Sequence, residues 1–88
     1  MKKNVVMDLE NLIPLSRLPF GKAAVVAEIN CRSNLIKRVY DMGVVRGAEI
    51  MPAFAAPFGD PVAYEVKNTL IALRKKDSDD ILVRCQNE

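Results

Sequence analysis

Hydrophobic and polar positions alternate along most of this chain and change to a helical period only once. Across Lys22–Ile29, the positions Ala23, Val25, Ala27 and Ile29 alternate with Lys22, Ala24, Val26 and Glu28, the period of two of a half-buried strand. Asn30-Cys31-Arg32-Ser33 is polar enough for a loop, and Ser33 is placed to cap a helix. From Asn34 to Met42 the period becomes helical. Leu35, Val39 and Met42 fall on one face with Ile36 and Tyr40 beside them, while Lys37, Arg38 and Asp41 take the other. Gly43 follows directly, where a left-handed C-cap favours a residue without a Cβ. The expected helix is therefore about residues 34–42.

The rest reads as short strands. Ala48–Ala56 carries Ile50 and Phe54 in alternation, but Pro52 cannot donate to a ladder, which predicts an edge strand or a bulge. Pro57-Phe58-Gly59-Asp60-Pro61 is a concentrated turn signal. Val62, Tyr64 and Val66 form another alternating strand, Lys67-Asn68-Thr69 a tight turn, and Leu70–Arg74 its return. Lys75 to Asp80 reads as a charged connection and Ile81–Val83 as a last short strand. The stretch from Asp8 to Phe20 has no period; Pro14 and Pro19 bracket Leu15–Leu18 and predict an extended lead-in too short for a helix. Short strands with turns at this spacing predict a small antiparallel barrel or sandwich, whose closure would hide its edges.

Composition narrows the function. Eighty-eight residues make one small domain, half of them apolar and 27% charged, a globular profile. The net charge of +2 lacks the basic excess of a dedicated nucleic-acid binder, although residues 1–46 carry 8 basic and 4 acidic side chains against 5 and 7 in residues 47–88. With no histidine, the commonest general base and metal ligand is missing. Cys31 and Cys85 lie far apart, so a four-cysteine zinc framework or a disulfide-dense scaffold is excluded. The four glycines are scattered and form no phosphate-binding loop. Asp77, Asp79 and Asp80 lack the glycine and terminal glutamate of a calcium loop. No apolar run approaches the roughly 18–20 residues of a membrane span, and the start at Lys2 and Lys3 has no signal-peptide core. The expectation is a cytosolic binding protein with no catalytic residues, no cofactor and no resident metal.

Four blocks in order carry a family resemblance. They are Leu15-Ser16-Arg17-Leu18 with Gly21; Arg38 through Asp41-Met42-Gly43-Val44 to Gly47; Ala56-Pro57-Phe58-Gly59-Asp60-Pro61; and Ile71-Ala72-Leu73-Arg74-Lys75 with Asp77 and Ile81-Leu82-Val83. Together, from about Pro14 to Val83, they resemble the FeoA family of bacterial ferrous iron transport. The chain departs from the family pattern at Val39, near Asn68 and at Ser78, where the family has leucine, glycine and alanine. The resemblance implies an SH3-like β-barrel that binds the FeoB iron transporter, whose cytosolic part is a G-protein domain, and that modulates its assembly or nucleotide-coupled activity. Self-association is left open. Two other readings remain. One is the related C-terminal domain of iron-dependent repressors, although this chain carries no helix-turn-helix segment. The other is a nucleic-acid-binding barrel, which needs exposed aromatics interleaved with Lys and Arg.

Candidate partner-binding residues follow from exposure and loop stiffness. Arg38 stands on the expected polar helix face, three residues from Asp41 and so able to pair with it, and Arg74 and Lys75 leave the fourth block beside its aspartates. Pro57, Phe58 and Asp60 belong to a loop held by two prolines, where Asp60 can bond back to nearby backbone. Phe58 either plugs one end of the barrel, the default in so small a core, or stands out as a pre-ordered anchor.

Overall fold

The computed structural model describes residues 12–85, which run in chain order β1 (Leu12–Pro14), a 3-10 turn (Leu15–Arg17), β2 (Ala24–Ile29), α1 (Ser33–Asp41), β3 (Glu49–Ala55), β4 (Val62–Val66), β5 (Thr69–Leu73), α2 (Lys75–Ser78) and β6 (Ile81–Cys85). The basic start and the Asp8–Asn11 part of the expected lead-in lie outside the described residues. The six strands form one antiparallel sheet in the order β1-β6-β2-β3-β4-β5. The fold is mostly β with one short amphipathic helix, as the alternation predicts. The ladder itself does not close, so β1 and β5 remain edges.

Cross-strand rows show how alternation becomes a core. Pro52, Tyr64 and Ile71 lie opposite one another on β3, β4 and β5, and all three are buried. Ile50 and Val66 form the next inward row, Val62 and Leu73 another. Between them the outward rows are Met51–Glu65–Leu70 and Phe54–Ala63–Ala72. The inward rows join Leu15, Ala24, Val26, Val39, Val44, Ile81 and Val83 in a single apolar cluster. Tyr64, at 2% exposure, is the bulkiest of the fully buried side chains.

Four expectations need correction. On β2 the buried residues are Ala24 and Val26, not the alternate set; a bulge between Val26 and Glu28 then brings Ile29 inward. Both faces of this strand are apolar, so the pattern contains no contrast to choose between them. The bulge expected at Pro52 is present, between Pro52 and Phe54; the strand itself lies inside the sheet, where β2 pairs with β3 only at Glu49 and Ile50. The Pro52 carbonyl accepts from the Gly21 N–H at 2.9 Å. The Leu15–Arg17 segment is a 3-10 turn, closed by the Leu18 N–H donating to the Leu15 carbonyl at 3.1 Å. The β4–β5 turn holds only Lys67 and Asn68, at φ of 51° and 66°, and Thr69 already belongs to β5. Finally, Lys75–Ser78 is a helical turn and not an irregular connection.

Helix α1 begins one residue early. Arg32 takes the N-cap position without a side-chain bond, and Ser33 is the first helical residue. Val39 is buried, Leu35, Ile36 and Met42 are half-buried, and Lys37, Arg38 and Asp41 are exposed, in agreement with the helical period. The end follows the glycine expectation. Gly43 has φ +99°, its N–H donates to the Tyr40 carbonyl at 3.0 Å, and the Val44 N–H donates to the Val39 carbonyl at 2.9 Å. These are the two bonds of a Schellman motif, with buried Val39 and Val44 supplying its apolar contact positions.

Candidate functional site

The loop between β3 and β4 is closed by its own backbone. The Ala56 N–H donates to the Pro61 carbonyl at 3.0 Å, and the Gly59 N–H donates to the Ala56 carbonyl at 2.7 Å. Gly59, at φ +93°, allows the reversal, and the Asp60–Pro61 peptide is cis. Pro57 is exposed beside it, and Phe58 is 98% exposed at the tip. Phe58 is therefore no plug. The interior is already filled by Tyr64, Leu15, Ile50 and their neighbours, and the loop folds onto itself above them. Phe20 and Phe54 are also exposed, so three of the five aromatic rings, together with part of Tyr40, face solvent. Alternation from the buried Ile50 places Phe54 inward; the bulge after Pro52 turns it outward, beside Ala63 and Ala72.

Asp60 reaches further than a local turn would take it. Its carboxylate accepts the Lys75 N–H at 2.7 Å, satisfying one of the free donors that open α2. Lys75 in turn pairs with Asp79 at 3.6 Å, and both side chains are largely solvated, so the pair contributes little. Ser16 donates to the Asp79 carboxylate, which ties the 3-10 turn to α2. That bond, helped by Lys75 and Arg17, holds the Asp79 carboxyl below its usual range. Asp60, Arg74, Lys75, Lys76 and Asp79 line one shallow depression. Arg74 also lines a groove against α1 together with Arg38. The structure thus brings Arg38 to Arg74, and Asp60 to Lys75, from distant parts of the sequence. The pairing of Arg38 with Asp41 does not form among the described residues.

Beneath α2 lies a buried polar contact. Ser78 is 1% exposed, and its hydroxyl donates to the Lys75 carbonyl at 3.2 Å. Tyr64 lies against this serine, whose contact partly offsets the effect of burial on the phenol. The Cys31 thiol, also buried, donates weakly to the Asp77 carbonyl at 3.8 Å. Burial raises the Tyr64 phenol, aided by Asp60 and Asp79, and raises the Cys31 thiol, aided by Asp80 and Asp77. The sign for stability follows. In the unfolded chain the thiol ionises near 9.0 and the phenol near 10.0, whereas the folded chain holds both protons to higher pH. Stability is therefore full below pH 9 and declines as pH rises through and above these values. Urea midpoints at pH 8 and pH 10.5 should differ in that direction; equal midpoints would contradict the burial of both groups.

Among the described residues no three His, Cys, Asp or Glu side chains cluster in a way that could hold a metal ion. No helix there is long and apolar enough to cross a membrane. Comparison with known proteins agrees with the motifs. The chain matches the FeoA domain family over residues 13–85. It is 36% identical over 69 residues to an Fe(2+) transport protein A/Fe(2+) transporter FeoB fusion protein of Porphyromonas gingivalis, a match covering 78% of this chain and 8% of the fusion protein. The chain therefore spans a small fraction of that relative's length. Among solved structures, FeoA of Chlorobium tepidum superposes with TM-score 0.81 at 29% identity, covering 85% of this chain and 71% of that one. FeoA of Stenotrophomonas maltophilia, a prokaryotic SH3 domain protein solved with zinc, superposes with TM-score 0.68 at 30% identity, covering 78% and 86%. IdeR of T. acidophilum shares the fold alone, with TM-score 0.74 at 16% identity over 85% of this chain and 34% of that one. The SH3-like architecture, the four motif blocks and the match across residues 13–85 agree: this chain belongs to the FeoA family of ferrous iron transport.

Proposed function

We infer that this chain is a non-enzymatic cytoplasmic adaptor that binds a FeoB-type ferrous iron transporter and modulates its assembly or nucleotide-coupled activity. The observation that carries this reading is the fusion relative, in which transport protein A and the transporter FeoB are one polypeptide. Covalent linkage raises the effective concentration of two modules that meet, which is useful when they act on each other. Phe58 supports the reading from the side of this chain. Its ring is presented on a loop tied by two backbone bonds and two prolines, so little ordering is lost when a partner covers it. The other partner-binding candidates, Pro57, Asp60, Arg38, Arg74 and Lys75, surround or adjoin that loop through the Asp60–Lys75 contact and the groove of the two arginines.

Co-purification with the full transporter tests the reading. The wild-type chain should bind in at least one nucleotide state, and Phe58→Ser should weaken the complex by about 1–3 kcal/mol. Because Phe58 makes almost no contact within its own fold, the same substitution should leave the urea midpoint within about 0.5 kcal/mol of wild type. Failure of the wild-type chain to bind in any nucleotide state would overturn the partner assignment.

A further inference from the structure

Strand β5 and helix α1 leave two unfilled features side by side. The first is an open sheet edge. In a two-residue hairpin the flanking pair, here Val66 and Thr69, exchanges both backbone bonds, and bonded pairs then alternate with unbonded ones. Tyr64–Ile71 and Val62–Leu73 are bonded pairs, so the N–H and C=O groups of Leu70 and Ala72 point away from β4. Strand β5 ends the sheet, and no backbone partner meets these groups among the described residues. The opposite edge is protected, since β1 has three residues and ends in Pro14. Strand β5 has no such device. Thr69-Leu70-Ile71-Ala72-Leu73 holds neither charge nor proline.

The second feature is a groove of about 270 Å³ alongside the end of that strand. One wall is Ala72 to Arg74; the other is Leu35 and Arg38 of α1 with Met42 at its C-cap. Its surface combines apolar Leu35, Met42 and Leu73 with two guanidinium groups and one carboxylate, Asp77. Neither Arg38 nor Arg74 makes an ion pair among the described residues. Two nearby carboxylates are engaged elsewhere, Asp60 on the Lys75 N–H and Asp79 on Lys75 and Ser16, which leaves Asp77 as the one acidic group against two guanidinium groups in the groove.

We propose that this edge and groove bind an extended acidic segment of a partner protein, which adds a strand to β5 at Leu70 and Ala72. The backbone of that segment completes the ladder and supplies most of the affinity, while alternate side chains give specificity. Because side chains alternate along a strand, one face of the segment meets the groove, and carboxylates on that face pair with Arg38 and Arg74 while apolar residues take the other face. Charge selects this occupant over a second copy of the chain. Antiparallel pairing of two β5 strands would bring no carboxylate to the groove and would cover the arginines unpaired. The proposal deepens the adaptor reading and rests on it only for the source of the segment, a cytosolic stretch of the transporter.

A probe peptide tests the site on the protein alone. The probe is a capped heptapeptide of alternating glutamate and valine, with its lysine–valine counterpart as control. The acidic peptide should slow amide exchange at Leu70 and Ala72 by about tenfold or more at saturation. Its affinity should fall about tenfold in the Arg38→Glu, Arg74→Glu double variant, and it should weaken with added salt. Both arginines are exposed, so the double variant should keep the wild-type unfolding midpoint, measured in parallel. Equal binding of the lysine peptide, or no protection at Leu70 and Ala72, overturns the proposal. So does protection in the protein alone that grows with its concentration, which would give the edge to a second copy. If the peptide fails while the transporter still binds and Phe58→Ser still weakens it, the groove proposal falls and the adaptor reading stands.

Discussion

Tyr64→Ala should lower the unfolding free energy by about 3–5 kcal/mol, the range for deleting a large aromatic ring from a core. Tyr64 sits at the middle of the inward row between Pro52 and Ile71, and it is 2% exposed. Its neighbours are held by the β3–β4 and β4–β5 ladders and cannot collapse freely into the space. A domain of this size holds on the order of 4–13 kcal/mol in all, so the variant should sit near its unfolding threshold at room temperature. Tyr64→Phe separates ring from hydroxyl. It keeps the packing and removes only the hydroxyl beside Ser78, which still donates to Lys75, so the loss should be about 0.5–1.5 kcal/mol. Urea titrations of the two variants decide the point. Equal losses would mean that the hydroxyl contact, and not the ring, carries the stability.

The same tyrosine shows where sequence reading succeeds. Val62, Tyr64 and Val66 alternate with the small Ala63 and charged Glu65, and polar contrast fixes which face turns inward. Strand β2 offers no such contrast. Ala23, Val25 and Ala27 are as apolar as Ala24 and Val26, and the bulge before Glu28 changes the facing in mid-strand. Periodicity alone therefore selects the wrong face there. The α1 boundaries are legible to within one residue because Gly43 stops the helix locally, through bonds that reach back only to Val39 and Tyr40. Helix α2 is not legible, because its N-terminal donor is satisfied by Asp60, fifteen residues upstream. A string of lysines and aspartates contains no trace of that partner.

The candidate site divides in the same way. The Pro57–Pro61 turn can be read from residue types, since prolines and glycine act on their own backbone. Whether Phe58 faces inward or outward depends on how completely the rest of the chain fills the core. Leu15, Val39 and Tyr64 come from three separate elements and converge there, so exposure of Phe58 is a property of the whole fold. The meeting of Arg38 with Arg74 is likewise tertiary. Each lies on a polar position of its own element, and only the packing of α1 beside β5 puts them on one groove. The outward row of Leu70 opposite Glu65 was a readable signal for the open edge, since an apolar residue there has nothing of its own strand pair to bury against.

Gly43→Val should destabilise the domain by about 2–4 kcal/mol, well beyond a glycine-to-alanine propensity difference. Two costs combine. At φ +99° an L-residue places its Cβ against the following carbonyl, a region that β-branched side chains tolerate least. A Cβ built at Gly43 would lie 3.5 Å from Val66 Cγ1 and 3.6 Å from Lys67 Cδ, ordinary contacts for one carbon. Valine adds two methyl groups to that carbon, and Val66 is packed in the inward row opposite Ile50 and has little room to give. Relief by shifting φ would break the Gly43–Tyr40 and Val44–Val39 bonds and free the end of α1, which also carries Arg38 and Met42 to the groove. Gly43→Ala isolates the backbone term and should cost about 1–2 kcal/mol. Gly43→Asn should fall below alanine in cost, because asparagine adopts positive φ more readily. An order of Val > Ala > Asn in loss of urea midpoint is expected. A midpoint for Gly43→Val equal to wild type would mean that the chain leaves α1 without the left-handed cap.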